Sequence, residues 1–470
     1  MIRKTKIIAT IGPKTSSKEK IKQLIEKGVN VCRLNFSHLS YEDAQKIISN
    51  IKATNQELGV HTAILADLQG PKIRVDDFEK PIKLKKGKEI IFCTKKRKNT
   101  IFINYNGFAK DVKPKDKVLL DDGKLRLEVV STNKKDKVVL KVVFGGVLLS
   151  RKGVNLPNTA ISLPSLTKKD RKDIDFILSQ KIEWVGLSFV RKAKDIKDLK
   201  KIIDSRNSLH KVIAKIEKPE AIKKIDTIID AADAIMVARG DLGVEVPPQK
   251  VPVYQKMIVN KCITKATPVI IATQMLESMT ENPTPTRAEV NDVANSVIDG
   301  ADALMLSGET STGKHPEKAV DTMRKIIRDI ESSEHSISKN TETKEIQNDG
   351  RFLTNAICLN ASQIAKQTKA RAIITITYSG YNTVRVSSFR PQSFIYAFTN
   401  NHSILNTLSL VWGVKGFYYE GASTTSQTIK ETKEILKKQK LLRKKDVVVN
   451  IASMPARERG TTNMIKVSKV

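Results

Sequence analysis

Two carboxylates and three cations close apolar stretches of this chain. Glu217 ends KVIAKIE with Lys215 two residues before it, Arg239 and Asp241 lie in AIMVARGDLG, and Arg33 lies in VNVCRLNFS. Paired carboxylates suit a hard cation such as Mg²⁺, which takes few protein carboxylates and completes its shell with substrate oxygens. Arg and Lys suit a highly anionic substrate. No His or Cys stands among them, which argues against a thiol nucleophile or a Ser–His pair. Cations and a divalent metal around oxyanions are what phosphoryl transfer requires, because its catalysis is positioning and charge neutralisation. Each residue alone has a plainer reading: Arg33 or Lys215 as a surface cation, Glu217 or Asp241 as a helix cap. Asn35, Ser37, Asp67, Ser188, Thr273, Gln274, Ser307 and Glu309 occupy similar strand ends, and so many together are harder to dismiss.

Such residues need a scaffold that gathers strand ends. Residues 5–12, 29–37 and 61–70 read as buried strands separated by helices. Ser16 with Glu19 reads as a capping box, Ile21, Leu24 and Ile25 share one helical face, and Gly28 is placed to end that helix. The pattern stops at Pro71. Up to 164 the chain is Lys-rich with short alternating runs and turn signals at Asp122-Gly123 and Gly145-Gly146, which reads as an all-β insertion. Strand runs resume at 184–190, 211–217, 234–243, 268–276 and 301–310. Three runs before the insertion and five after it are the count of a (β/α)8 barrel, with an open doubly wound sheet as the alternative. The polar stretch 331–350 reads as a linker or frayed helix end, and the remainder as a separate α/β domain. The division expected is 1–70 and 165–340 for the barrel, 71–164 for the insertion and 341–470 for the last domain. The run 308–315 nearly spells a P-loop. Its final position is His315, which lacks the hydroxyl for Mg²⁺, and it follows the eighth strand rather than the first.

The motifs, taken in order, resemble the pyruvate kinase family. They are TIGP (10–13), CRLNFSH (32–38), DLQGPKIR (67–74), RKGVNLP (151–157), VIAKIEKPEAI (212–222), ARGDLGVE (238–245), ATQMLESM (272–279) and the long run 282–310, then SGYNTVRVSSFRP (379–391) and RGTTNMIKV (459–467). The resemblance spans essentially the whole chain. It implies a TIM barrel, an inserted β-barrel domain acting as a lid, a C-terminal α/β domain, and transfer of a phosphoryl group from phosphoenolpyruvate to ADP, giving ATP and pyruvate. It implies that Lys215 stabilises the transferring group and that Arg33 binds the phosphate. Glu217 and Asp241 would hold Mg²⁺ (or Mn²⁺). Gly240, Asp241 and Thr273 would complete the substrate pocket, with Thr273 in the proton relay and water as final donor. Arg74 and Lys152 would meet the nucleotide phosphates, bordered by Asn35 and His38. The family is usually a homotetramer.

The chain departs from many members at one place. They need K⁺ and carry Glu where Lys72 stands, with Thr and Lys where Leu68 and Gln69 stand. Asn35, Ser37 and Asp67, the family's other K⁺ ligands, are retained. A Lys72 ammonium could supply the charge K⁺ would bring, so K⁺-independent activity is expected. TYSGYNT (377–383) resembles a loop that binds a sugar-phosphate or nucleotide effector in some members; an ordinary strand-to-helix turn is the alternative.

Composition bounds the rest. Lys+Arg total 83 against 50 Asp+Glu, a net charge of +33 that raises nucleic acid or an anionic membrane as partners. Aromatics are only 5% and no reader motif occurs, so no nucleic-acid partner is expected and the lysines read as a solvated surface. No window approaches the apolar length of a membrane span, and the start lacks a signal-peptide pattern. Four cysteines form no CxxC pair, which fits a reducing, cytoplasmic setting.

Overall fold

A computed structural model describes residues 3–157, 159, 161–333, 350–421, 424–454 and 461–470. Eight strands close into a barrel: β1 (Lys6–Ile11), β2 (Val31–Asn35), β3 (Ala63–Asp67), β4 (Trp184–Leu187), β5 (Lys211–Ile216), β6 (Ala234–Ala238), β7 (Val269–Ala272) and β8 (Ala303–Leu306). Each pairs in parallel with the next, and β8 returns to β1. The expected barrel is therefore formed. The strand period of two divides its residues. Ile8, Val31, Leu65, Trp184, Ile213, Met236, Ile270 and Met305 fill the interior, while Ile7, Ala9, Cys32, Leu34, Ile64 and Val185 pack outward with the helices.

All eight strands end before their apolar runs do, three of them by four residues or more. The 234–243 run turns into a helix at Arg239 (Arg239–Glu245), the 268–276 run breaks after Ala272, and the 301–310 run enters a short helix at Gly308. Short buried helices are as apolar as strands, so the pattern merges them. The first helix, Lys18–Lys27, is capped by Ser17 rather than Ser16. Ser17 is extended and its Oγ accepts the Lys20 N–H at 3.2 Å, so Glu19 falls in the first turn instead of closing a box. Gly28 does end this helix, at φ 114°.

The insertion between β3 and β4 is a six-stranded sheet in the order Val154–Asn155, Lys117–Leu120, Leu125–Thr132, Lys137–Phe144, Glu89–Cys93, Ile101–Phe102, beside a ribbon of Ile82–Leu84 and Gly146–Leu148. Its Lys-rich text follows from alternation. Leu125, Leu127 and Val129 are buried, and Arg126, Glu128 and Val130 between them are exposed.

The last domain carries β9 (Ala372–Ile376), β10 (Phe394–Thr399), β11 (Val414–Tyr418), β12 (Val447–Ala452) and β13 (Met464–Lys469), ordered β11-β10-β9-β12-β13 with β13 antiparallel. It closes the barrel floor. Leu410 joins the interior cluster, Arg390 pairs with Asp302 at 2.8 Å, and the Lys6 ammonium donates to Val414 O at 2.6 Å. Residues 377–383 form a strand-to-helix turn in which Thr377 Oγ1 accepts the Gly380 N–H at 3.0 Å. Of the stretch 331–350, residues 334–349 lie outside the described residues, as do 459 and 460 of the RGTTNMIKV motif. Among the described residues no helix is long and apolar enough to cross a membrane.

Candidate active site

The same parity that fills the barrel with apolar side chains brings polar ones to its C-terminal mouth. Arg33 and Asn35 share the inward face with Val31, Asp67 follows Ala63 and Leu65, and Lys215 and Glu217 follow Ile213. Register places Asn35 beside Asp67 and Thr10 beside Arg33. Gly186 of β4 pairs with Asp67, and a Cβ there would stand 3.0 Å from Asp67 Oδ1. The missing side chain leaves room for the carboxylate.

Asp67 is the hub. Arg33 donates to its Oδ2 through Nε at 2.8 Å and pairs through Nη2 at 2.6 Å. Lys215 Nζ lies 3.0 Å from its Oδ1, 3.1 Å from Glu217 Oε1 and 2.7 Å from Ser188 Oγ. Arg33 Nη1 also donates to Thr10 Oγ1 at 3.0 Å. Burial works against the charge on Asp67, but Lys215 and Arg33 outweigh it and hold the carboxyl below its usual range. Burial likewise opposes the Lys215 charge, and Asp67 and Glu217 more than offset it, so the ammonium stays charged. Glu217 differs. Burial pushes it up to about 7, with Lys215 opposing and Asp241 adding to the rise. Its Oε2 accepts the Phe189 N–H at 2.7 Å. A buried carboxylate raised by burial and by a second carboxylate is a place where a divalent cation would relieve both. Among the described residues no group of three or more His, Cys, Asp or Glu could hold a metal, so such an ion would take its remaining ligands from substrate and water.

Thr273 and Gln274 do not close β7 but lie beyond it, at φ 70° and 55°. Phe189 has φ 54°. A β-branched residue in the left-handed region is strained, and such strain persists where surrounding structure enforces it. Here Thr273 Oγ1 accepts the Gly240 N–H at 2.7 Å and donates to Ala272 O at 2.6 Å. The strained turn thus joins β7 to the start of the Arg239–Glu245 helix, which carries Gly240 and Asp241.

The remaining residues sit around this centre. Lys72 Nζ is 3.9 Å from Asp241 Oδ1 and makes no ion pair with Asp67. His38 is lowered by burial and by Arg74, Lys72 and Lys169, so it lies in a positive field with Arg74. Arg74 Nη1 donates to Arg151 O at 3.0 Å, and Lys152 pairs with Asp121 at 2.8 Å, so both are held on the insertion side. Ser37 N–H donates to Asn35 Oδ1 at 3.2 Å.

Arg239 does not face the mouth as a free cation. It is bound in a fork to Asp292, at 2.7 and 2.6 Å, and donates to Thr273 O at 2.9 Å, which props the strained turn. Glu309 is also structural, accepting the Leu276 and Ser307 N–H groups. The near-P-loop at 308–315 forms the short helix Gly308–Ser311 and the cap of the helix Pro316–Ser332. The sequence offered no signal for Phe189, which acts through its backbone, or for Asp292, whose partner lies 53 residues away. Thr10 stands in the TIGP motif, which gave it no role.

Comparison with known proteins fits this geometry. The family profile "Pyruvate kinase, barrel domain" matches residues 2–320, and "Pyruvate kinase, alpha/beta domain" matches 355–468. A pyruvate kinase of Geobacillus stearothermophilus is 42% identical over 99% of this chain and 80% of its own length. One from Corynebacterium glutamicum is 40% identical over 99% and 98%. The crystal structure of a pyruvate kinase from Cryptosporidium parvum superposes with a TM-score of 0.91 at 34% identity, covering 99% of this chain and 96% of that one.

Proposed function

This chain belongs to the pyruvate kinase family, and on that footing we propose that the residues gathered at the barrel mouth carry the family's chemistry. The chain is a phosphotransferase that moves the phosphoryl group of phosphoenolpyruvate to ADP, giving pyruvate and ATP, the last step of glycolysis. The family generally uses Mg²⁺ and K⁺. The observation that carries the residue roles is the buried network Arg33–Asp67–Lys215–Glu217. Charges desolvated together at strand ends are costly and are retained where a site needs them.

In this reading Glu217 and Asp241 hold Mg²⁺ (or Mn²⁺). When bound, the ion neutralises charge on substrate oxygens. Lys215, kept charged by its two carboxylates, donates to the phosphoryl group in flight, and Arg33 binds the phosphate from the other side of Asp67. Gly240, Asp241 and the Thr273 hydroxyl complete the pocket. Thr273 stands in the proton path to the carbon that becomes the methyl group of pyruvate, with water as the final donor. Asn35, His38, Arg74 and Lys152 take the nucleotide, the last two from the hinge and lid. K⁺ is dispensable because the Lys72 ammonium, 3.9 Å from Asp241 Oδ1, supplies the positive charge that K⁺ would otherwise bring. A homotetramer, and a sugar-phosphate or nucleotide effector at 377–383, follow from the same family reading. Four buried free cysteines suit a reducing, cytoplasmic compartment.

The test is a coupled assay of pyruvate formation from phosphoenolpyruvate and ADP with Mg²⁺. Lys215→Met is expected to lower kcat by about 10³ with phosphoenolpyruvate binding largely kept. A normal rate in Lys215→Met would remove the role given to that ammonium.

A further inference from the structure

The helix Arg239–Glu245 meets different partners at its two ends. Its first turn brings Gly240 and Asp241 to the mouth. Its last residue, Glu245, is buried, and one oxygen, Oε1, accepts two hydrogen bonds: from Lys218 Nζ at 2.6 Å and from Asn155 Nδ2 at 2.8 Å. Lys218 directly follows Glu217 and is itself buried. Asn155 belongs to the inserted domain, three residues beyond Lys152. A second contact reaches the same end of the helix. The inserted domain's turn at Gly123 lies over Val244, so that a Cβ on Gly123 would be 3.7 Å from Val244 Cγ1. Asp121 of that turn is the partner of Lys152. Lys72, Asn155, Lys218 and Asp241 line one cavity of about 30 Å³ between insertion and barrel.

A buried ion pair is tolerated when both charges are satisfied, and Lys218 alone satisfies the charge of Glu245. The Asn155 bond is additional and comes from another domain. The other oxygen, Oε2, is buried with no hydrogen bond among the described residues, so the carboxylate is held through Oε1 alone. Its orientation therefore depends on where the inserted domain sits. Asp241 and Glu245 are one helical turn apart, and a rotation imposed at one is felt at the other. Lys218 extends the coupling to Glu217, its neighbour in the chain.

We propose that Glu245 is a positioning residue that couples the seated lid, through Asn155, to the placement of Asp241 and Glu217, and so to affinity for the divalent cation. The proposal rests on the reading of Asp241 as a metal ligand. The experiment measures Mn²⁺ binding to the full chain with phosphoenolpyruvate present, from the electron paramagnetic resonance signal of free Mn²⁺, together with the melting temperature. Asn155→Ala is expected to weaken Mn²⁺ binding by about tenfold, as loss of an outer-shell partner does elsewhere, with no drop in melting temperature. Asn155→Gln, which keeps the donor, restores most of that loss. In a Glu245→Gln background Asn155→Ala adds nothing further, because the acceptor through which it acts is already altered. Mn²⁺ binding within about twofold of the unaltered chain in Asn155→Ala overturns the coupling, as does full additivity of the two changes. Asp241→Asn separates the two readings. If it abolishes Mn²⁺ binding while Asn155→Ala does nothing, only the coupling fails. If it leaves binding intact, the metal assignment fails and takes the coupling with it.

Discussion

Lys72 stands at the edge of the mouth with its ammonium 3.9 Å from Asp241 Oδ1. At that separation a unit charge changes the local energy by a few kcal/mol at an effective dielectric near 20, and 1.4 kcal/mol is a factor of ten in rate. The unaltered chain is expected to be active in potassium-free buffer, and Lys72→Glu to show about tenfold or greater activation when K⁺ is added. Activity of the unaltered chain that appears only with K⁺ would sink the idea. At this scale the residue types were legible and their partners were not. Arg33, Lys215, Glu217 and Asp241 were found as polar ends of apolar runs. Arg239 had the same signature and turned out to be held by Asp292 and to brace Thr273 directly, because nothing local marks which of two neighbouring cations has a distant carboxylate waiting.

Strand β4 contributes by what it lacks. Gly186 faces Asp67, whose buried Oδ1 lies 3.0 Å from the Lys215 ammonium and 3.0 Å from where a Cβ on Gly186 would stand. Gly186→Ala should therefore push the carboxylate and, with it, Lys215 and Arg33. A loss of about 1–2 kcal/mol in stability and about tenfold in kcat/KM is expected, checked by thermal melting and the coupled assay. An unchanged kcat/KM would mean that Asp67 does not position the cations. Element existence was clear in the sequence because apolar runs of strand length recur eight times before the C-terminal domain. Element ends were not. In 234–243 and 301–310 a buried strand passes into a short buried helix without a change in hydropathy.

The floor of the barrel is where the whole molecule is tied together. Lys6 begins β1 inside this junction, donates to Val414 O and is surrounded by Arg3, Glu331, Asp302 and Lys415. Burial pushes its ammonium down to about 7, aided by Arg3 and Lys415 and opposed by Glu331 and Asp302. Because the folded value lies below the unfolded one, the unfolded chain binds the extra proton between them, and folding stability rises with pH across that window. The cost is complete below pH 7 and gone above about 10.5. Lys6→Met should thus stabilise the chain by about 1–3 kcal/mol at pH 6.5, and the gain should shrink as pH approaches 10. A gain that does not change with pH would show that Lys6 is already satisfied in its charged form. The net charge of +33 looked at first like a partner-binding feature. In the fold its lysines and arginines are spread over the helices and the insertion, with a few cations at the mouth. By itself the sequence determined the eight strand runs, the inserted β segment, the α/β tail and the residue types of the site, because hydropathy period and polar strand ends are local properties. Only the tertiary structure decided that β8 closes on β1, that Asp67 joins Arg33 to Lys215, that Arg239 is spent on Asp292, and that Asn155 reaches Glu245. Those are contacts between residues far apart in the chain, set by barrel closure and strand stagger, which no short window of sequence contains.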